Sequence, residues 1–182
     1  MPRIPMLKPE EMDAEQRRVH DATLKATGRA GNGPSLAYVH APELWEATNA
    51  VSAYFENRSS LSPTQIRIAA LVTMRHWNAD FPWAAQARMG LQAGLDAAAI
   101  DAINAKKKPA LKSKEDEAVY AVAKEVIETG TLSDASFASA KSALGLRRLV
   151  DAAGVVAHFC GTAMMANLAG AQAPADAPSK LK

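Results

Sequence analysis

The sequence predicts an all-α protein, and three of its properties support that fold class. Hydrophobic residues make up 48% of the 182 residues but aromatic residues only 5%, and the many alanines favour helices over sheets built from β-branched and aromatic side chains. Apolar side chains recur at spacings of three and four along most of the chain, which is the period of an amphipathic helix. Ser and Asp residues stand where helices would begin, and glycines where they would end.

The first half of the chain contains four predicted helices. Asp13 caps the first, which runs to about Lys25, and the second begins at Pro42 after the glycine-rich loop 28–34. The sequence Ser62-Pro63-Thr64-Gln65 predicts a third helix start with a capping box, followed by apolar residues on most sides up to Trp77. Asp80 is predicted to cap the fourth helix, which stops near Gly94.

The second half continues the helical pattern. Asp96, Ser113 and Ser133 are predicted to cap three more helices, and the last helix, 146–168, is rich in small residues that allow close packing. Residues 1–170 are therefore expected to form a single helical domain. The remaining residues, 171–182, have the composition of a flexible or arm-like C-terminal tail.

Charge and cysteine content exclude several classes of protein. The formal net charge of +2 is too small to indicate a nucleic-acid partner. Cys160 is the single cysteine, so no intrachain disulfide or Cys-x-x-Cys site can form. The N-terminus lacks the apolar core of a signal peptide, and the most apolar stretch, 152–166, is too short to span a bilayer. We therefore expect a soluble cytoplasmic protein with no membrane partner.

Three stretches carry a resemblance to a known group of proteins: RIPMLKPEEMDAEQRRVHDA near the N-terminus, the hairpin from His40 to Ile103, and DEAVYAVAKEVIETGTLSDASF. Together they resemble the carboxymuconolactone decarboxylase-like, or alkylhydroperoxidase D-like, family. The resemblance implies an all-helical bundle around a central helical hairpin. It also implies assembly into dimers, trimers or hexamers, without a cofactor.

The motif that carries the family's chemistry is substituted here. In the hydroperoxidase branch a Glu, two Cys and a His fall at positions that correspond to Arg67, Ala79, Pro82 and Gln86. In the decarboxylase-like branch a Glu and a His flank a Trp; Trp83 matches that Trp, but Pro82 and Gln86 replace the other two. The missing thiols exclude a cysteine peroxidase of the usual kind, and neither Arg67 nor Gln86 can move a proton near neutral pH.

Each candidate binding residue has a structural and a functional interpretation. Arg67 is either a salt-bridge partner of a neighbouring helix or a clamp for a substrate carboxylate. Gln86 is either an exposed helix residue or a donor to a substrate oxygen. Trp83 is either core or pocket wall, and Asp80 is a helix cap unless it faces the pocket.

The histidines are the remaining candidates for acid–base chemistry. His158 interrupts the most apolar helix, so it is either a core histidine with a fixed partner or a general base in a pocket. His76 either caps a helix end or faces the pocket. Cys160 is expected to be a buried, inert thiol, and His20 and His40 provide no metal-binding spacing.

Two functions remain open at this point. The first is a cofactor-independent lyase or decarboxylase that acts on a small organic acid or lactone, the substrate class that the resemblance implies. The second is a non-catalytic oligomer that binds a small molecule or has a structural role. The apolar surface of the helices at 62–77 and 146–168 also predicts a homo-oligomer.

Overall fold

The all-α prediction is confirmed. The structure is a computed structural model that describes residues 2–182, and within that range it contains helices and no strand. A short 3-10 helix, Pro9–Glu11, precedes the α-helices. These are α1 (Ala14–Thr27), α2 (Ser35–Tyr38), α3 (Pro42–Asn57), α4 (Pro63–His76), α5 (Asp80–Gln92), α6 (Ala97–Asn104), α7 (Lys114–Thr129) and α8 (Asp134–Ala169).

Helix α4 is the centre of the bundle. Every residue from 65 to 74 is buried, and α4 packs against α5, α6, α7 and α8. Ile68, Leu71 and Met74 are completely enclosed, so α4 contributes to the core on several sides, as its apolar sequence predicts. Arg67 is a charged residue in this buried stretch, which makes its partners the first question about the site.

Most predicted helix starts are confirmed, and one is wrong. Asp13 and Ser62 accept hydrogen bonds from the backbone of Gln16 and Gln65, and both capping boxes are complete. Asp80, in contrast, is the first residue of α5 rather than its cap; the cap position is Ala79, and no side chain caps it. The carboxylate of Asp80 instead accepts a hydrogen bond from the C-terminal segment, which sequence periodicity could not anticipate.

Helix α8 bends at Gly145, whose φ of 74° and ψ of 164° are not helical. Glycine adopts such angles at no steric cost, and the second part of α8 therefore begins at Leu146, as the sequence predicts. The prediction that the most apolar stretch is too short to span a bilayer is wrong for the helix that contains it: by length and composition alone α8 could cross a membrane, although 44% of its most apolar window is buried inside the protein. A helix at the core of a globular bundle has the same composition, so this feature does not make the chain a membrane protein.

A buried carboxylate attaches the loop before α4 to α8. Asp151 is 5% exposed and accepts hydrogen bonds from the Tyr54 hydroxyl (2.7 Å), the Ser59 hydroxyl (3.0 Å) and both the backbone N–H and hydroxyl of Ser60 (2.8 and 2.7 Å). Burial alone would raise the pKa of Asp151, but these hydrogen bonds together lower it below its usual range. The charged form therefore stabilises this junction.

The C-terminal segment 171–182 lies against the helical body. Asn104, 1% exposed, donates to the Lys180 carbonyl (2.7 Å), and Arg88 pairs with Asp176 (3.0 Å). These contacts correspond to the arm-like alternative for this segment and count against a freely moving tail. The flexibility expected from its composition stays a prediction.

Candidate functional site

The guanidinium of Arg67 is buried, and both of its terminal nitrogens donate hydrogen bonds to partners within the chain. Its side chain is 3% exposed. One terminal nitrogen, Nη1, donates to the Gln86 Oε1 on α5 at 2.9 Å, and the other, Nη2, donates to the Glu56 carboxylate at the end of α3. A single buried cation thus connects α3, α4 and α5.

Glu56 is the residue at this site that sequence analysis missed. It lies in the last turn of α3, and its side chain is 45% exposed. A carboxylate near a helix C-terminus is unfavourable because that end of the helix dipole is negative. A Glu at such a position is the sequence signal that a cation lies close to it, but only the fold identifies that cation as Arg67.

Gln86 is not the exposed helix residue that one of its two interpretations predicted. It is 8% exposed, so it is not a surface residue, and its side-chain oxygen accepts from Arg67. The two helices are close together at Gly90, where an added Cβ would lie at ordinary contact distance, 3.7 Å, from the Arg67 Cβ. Hairpin geometry therefore brings Arg67 and Gln86 together, while their predicted role in substrate binding stays a prediction.

His158 lies on α8 beside α3. Its Nε2 is 3.0 Å from the Ser52 hydroxyl, and its ring centroid is 5.8 Å from that of Phe55. Burial lowers the pKa of His158, and the negative charge of Glu56 opposes that shift only in part. The imidazole is therefore neutral near pH 7, with a fixed partner.

Ser52 and Glu56 are one turn apart on α3, and each contacts one of the candidate residues His158 and Arg67. Ser52 contacts His158, and Glu56 contacts Arg67. Residues at i and i+4 share one face of a helix, so α3 supplies a partner to each. His158 and Arg67 each contact a residue of α3, but among residues 2–182 no hydrogen bond joins the two side chains.

Trp83 and Asp80 belong to a different part of the molecule. Trp83 is completely buried, and its indole N–H donates to the Ser179 hydroxyl at 3.1 Å. Asp80 accepts a hydrogen bond from the Ala173 backbone N–H at 3.0 Å. The first turn of α5 therefore holds the C-terminal segment, whereas Gln86, further along α5, reaches Arg67.

His76 is exposed at the end of α4, edge-on to Trp77, with ring centroids 5.3 Å apart. The Trp77 indole in turn lies 3.3 Å from the Cys160 sulfur. Cys160 is half-buried, so the expectation of a fully buried thiol is wrong. Ala79 and Pro82 occupy the two cysteine positions of the motif, and Cys160 is the single cysteine, so no pair of thiols can form.

A groove lies away from these residues. It has a volume of about 290 Å³ and is formed by small and apolar side chains of α7 and of the first part of α8, with Leu132 from the loop between them. None of the six candidate residues lines it. Within residues 2–182, no cluster of three His, Cys, Asp or Glu side chains has the proximity needed to hold a metal ion.

Solved structures share the fold of this chain. One is the crystal structure of an alkylhydroperoxidase AhpD core, an uncharacterized peroxidase-related protein from Ralstonia eutropha JMP134; it has 16% sequence identity and a TM-score of 0.78 over 96% of this chain and 93% of its own. Another, an uncharacterized peroxidase-related protein from Silicibacter sp. TM1040, has 17% identity and a TM-score of 0.76 over 99% and 94%.

The comparisons by sequence gave a different result from the comparison by structure. No protein-family model matches the chain, and no curated protein matches it. Similarity to the two solved structures nevertheless extends over nearly the whole chain and includes the central hairpin of α4 and α5. The chain therefore has the alkylhydroperoxidase D-like fold, as its resemblance in sequence predicts.

Proposed function

We propose that this protein is a non-catalytic member of the alkylhydroperoxidase D-like group, in which the former reaction centre has become a structural ion pair. The observation that carries the proposal is the buried guanidinium of Arg67, whose two terminal nitrogens already have partners within the chain. It is 3% exposed and bonded to Glu56 and Gln86. A substrate carboxylate would have to displace Glu56 before it could bind.

The arrangement of the other candidate residues supports the same proposal. Trp83 and Asp80 hold the C-terminal segment, and His76 is exposed away from Arg67. Productive catalysis needs groups that converge on one reacting atom. Here the candidate groups are divided among three places and have partners within the chain.

Thiol peroxidase chemistry is also disfavoured. Peroxide reduction by this motif needs a nucleophilic thiolate and a second thiol that resolves the sulfenic acid. Ala79 and Pro82 stand at those positions, and Cys160 is the single cysteine of the chain. Cys160 lies on α8, remote in sequence from the motif, and its sulfur contacts the Trp77 indole.

The test is a turnover assay with the purified protein, followed by NMR, on a panel of small carboxylic acids, lactones and an organic hydroperoxide. We expect no turnover above that of a His158→Gln, Arg67→Met double variant. Turnover that wild-type protein shows and this variant lacks would overturn the proposal. Thermal unfolding of the variant, measured in parallel, ensures that a loss of activity is not a loss of fold.

A second candidate function rests on His158. A neutral imidazole with its Nε2 3.0 Å from a hydroxyl is a competent general base. In a cofactor-independent lyase, His158 would remove a proton from a small organic acid or lactone, and Arg67, released from Glu56, would bind the substrate carboxylate while Gln86 oriented an oxygen.

This second candidate makes a distinctive kinetic prediction. Glu56→Gln removes the competing charge, so it should lower KM for an acidic substrate while leaving kcat close to that of the wild type. His158→Gln should abolish kcat. An unchanged KM in Glu56→Gln, or full activity in His158→Gln, would remove the lyase role.

A further inference from the structure

Segment 173–182 lies across α4, α5 and α6, and side chains of these helices make its polar contacts with the body of the protein. One of them comes from the end of α4, three from α5 and one from the last residue of α6. We refer to this set of side chains as the docking site: Arg75, Asp80, Trp83, Arg88 and Asn104.

Asn104 binds the main chain of the segment with both atoms of its amide. Its Nδ2 donates to the Lys180 carbonyl at 2.7 Å, and its Oδ1 accepts from the Lys182 backbone N–H at 3.3 Å. These two backbone groups flank Leu181, and an extended chain presents both to the same side. Asn104 is 1% exposed, so it is a buried polar group whose hydrogen bonds are satisfied by a peptide backbone.

The two arginines of the docking site also contact main-chain groups. Arg75 donates from Nη2 to the Lys182 carbonyl at 3.3 Å. Arg88 donates to the Asp176 carbonyl at 3.2 Å, in addition to the carboxylate of the same residue at 3.0 Å. Every residue has a backbone carbonyl, so these contacts place few demands on the sequence of the segment.

Three side chains of the segment supply the sequence-dependent part of the contact. The Asp176 carboxylate pairs with Arg88, and the Ser179 hydroxyl accepts from the Trp83 indole at 3.1 Å. Leu181 packs against the main hydrophobic core and is partly buried. The pattern that fits the docking site is therefore Asp-x-x-Ser-x-Leu.

The body of the protein holds the docking site in place without help from the segment. The Arg75 Nε donates to the Asn104 backbone carbonyl at 2.6 Å, and a terminal nitrogen of the same guanidinium bonds the Asn78 side chain. The Trp83 ring belongs to the main core and is completely buried. A site that is ordered before its ligand arrives loses little entropy on binding.

The segment itself buries little apolar surface. Ala171 is buried at its start, and Leu181 is its single large aliphatic side chain. Its one turn, closed by a hydrogen bond from the Ala177 N–H to the Pro174 carbonyl (3.1 Å), is exposed at its centre. Segments with few buried apolar contacts open at a low cost in free energy. Opening would present the docking site to solvent.

We propose that the docking site is a binding site for an extended peptide of another protein with the pattern Asp-x-x-Ser-x-Leu, and that segment 173–182 occupies it as an internal competitor. Contacts to the main chain provide affinity, and the Ser and Leu positions provide selectivity, as in other sites that bind extended peptides. An attached segment acts at an effective concentration of about a millimolar. The partner therefore gains access when the segment opens.

The first test measures binding of a fluorescein-labelled peptide of residues 171–182 to the full chain by anisotropy. Leu181→Asp places a charge against the core and should release the internal segment, so this variant should bind the peptide. Wild-type protein should bind it at least about tenfold more weakly, because the internal segment competes. Lys180→Asp, the same new residue at the exposed neighbouring position, should behave like the wild type. Hydrogen exchange of residues 173–182 should show release in Leu181→Asp alone.

The second test asks whether the main chain is bound as the structure shows. In the Leu181→Asp background, Asn104→Leu removes two hydrogen bonds and should weaken peptide binding about tenfold to a hundredfold.

A change in the peptide makes the same test independent of the folding of that variant. N-methylation at Lys182 removes the N–H that Asn104 accepts and should weaken binding about threefold to tenfold. N-methylation at Ala175 is the matched control. Ala175 is the second residue of the exposed turn, a position where the substituted nitrogen of proline is favoured, so this peptide should bind like the parent.

Several results would overturn the proposal. They are failure of Leu181→Asp to bind the peptide, continued protection of its segment from hydrogen exchange, equal affinity of wild-type protein and Leu181→Asp, equal binding of a scrambled peptide, and equal affinity of the two N-methylated peptides. Each of these readouts reports binding or exchange and none reports catalytic activity, so they are independent of the function proposed above.

Discussion

Arg67 and Glu56 form an ion pair whose two members have very different surroundings: the guanidinium is 3% exposed and the carboxylate 45%. Loss of the carboxylate leaves a charge buried, whereas loss of the guanidinium leaves a charge that water can solvate. Breaking a buried pair costs more than replacing it with apolar groups, so the two members should respond differently to mutation.

The first prediction is this asymmetry in stability. Glu56→Ala should lower the free energy of unfolding by up to about 3 kcal/mol, the lower end of the range for breaking a buried pair. The double change Arg67→Met, Gln86→Leu should cost less, because it also removes the acceptor that Arg67 satisfies. Urea unfolding at pH 7 measures both.

A matched control exists on α7. Glu128 is 49% exposed and pairs with Lys124, which is also exposed. Glu128→Ala should therefore cost only about 0.3–0.5 kcal/mol, as for other exposed pairs one helical turn apart. If Glu56→Ala is as mild as this control, Arg67 does not depend on Glu56 and the structural role of the pair is wrong.

The second prediction concerns Asp151. Asp151→Asn replaces one carboxylate oxygen with a donor that cannot accept from Ser59 or Ser60. We expect a loss of about 1.5–3 kcal/mol, the range for a hydrogen bond to a charged group. Asp101→Asn, at an exposed position on α6, should change stability little.

The pH dependence of the Asp151 contribution follows from its lowered pKa. The folded protein binds the proton of this group less readily than the unfolded chain, so the stabilisation is present above the ordinary value of 3.8 and is lost as pH falls through the folded pKa. The difference between wild type and Asp151→Asn should therefore shrink in strong acid. A difference that stays constant from pH 7 to the acid limit would contradict this account.

The third prediction is a milder acid sensitivity that depends on His158. Burial lowers the pKa of this imidazole below 6.5, so the unfolded chain binds the proton more readily than the folded protein. Stability is fully present above pH 6.5 and should fall as pH decreases from there toward the folded pKa. His158→Gln removes the titration and should flatten this part of the stability profile.

His76 provides the comparison for this measurement. It is exposed at the end of α4, and His76→Gln, the same substitution at an exposed site, is measured alongside His158→Gln between pH 7 and pH 5. Thermal unfolding at intervals across that range would show the difference. Identical slopes for wild type and His158→Gln would mean that the imidazole titrates as it would in water.

The fourth prediction concerns the C-terminal segment. Truncation after Gln172 removes the partners of Trp83, Asp80 and Asn104. Loss of these hydrogen bonds should lower the unfolding free energy by about 1–3 kcal/mol. The fluorescence of Trp83 should move to longer wavelength because its indole meets water.

Ser179→Ala is the matched point variant. It deletes the hydroxyl that accepts from the Trp83 indole at 3.1 Å but leaves the rest of the segment in place, so its effect should be within about 1.5 kcal/mol. If truncation changes neither stability nor fluorescence, the segment is as free in solution as its composition suggested.

The sequence by itself determined most of the helices and the state of the motif, but it did not predict the short helices Pro9–Glu11 and α2. Asp13, Ser62, Ser113 and Ser133 mark helix starts because a side-chain oxygen can satisfy a free backbone N–H next to it in the chain. The absence of thiols from the motif is equally a property of residue identity. Such features depend on atoms within a few residues of each other, so no knowledge of the fold is needed to find them.

Only the tertiary structure decided which polar side chains on separate elements contact each other. Glu56 finds Arg67 11 positions away, Ser52 finds His158 106 away, and Asp80 binds the backbone of Ala173 93 away. Nothing in local periodicity encodes such pairs, because they form where separate helices cross. Asp80 has the residue type and position of a helix cap in the sequence, but in the folded protein it accepts a hydrogen bond from the C-terminal segment. A carboxylate accepts from whichever donors the fold brings within about 3 Å.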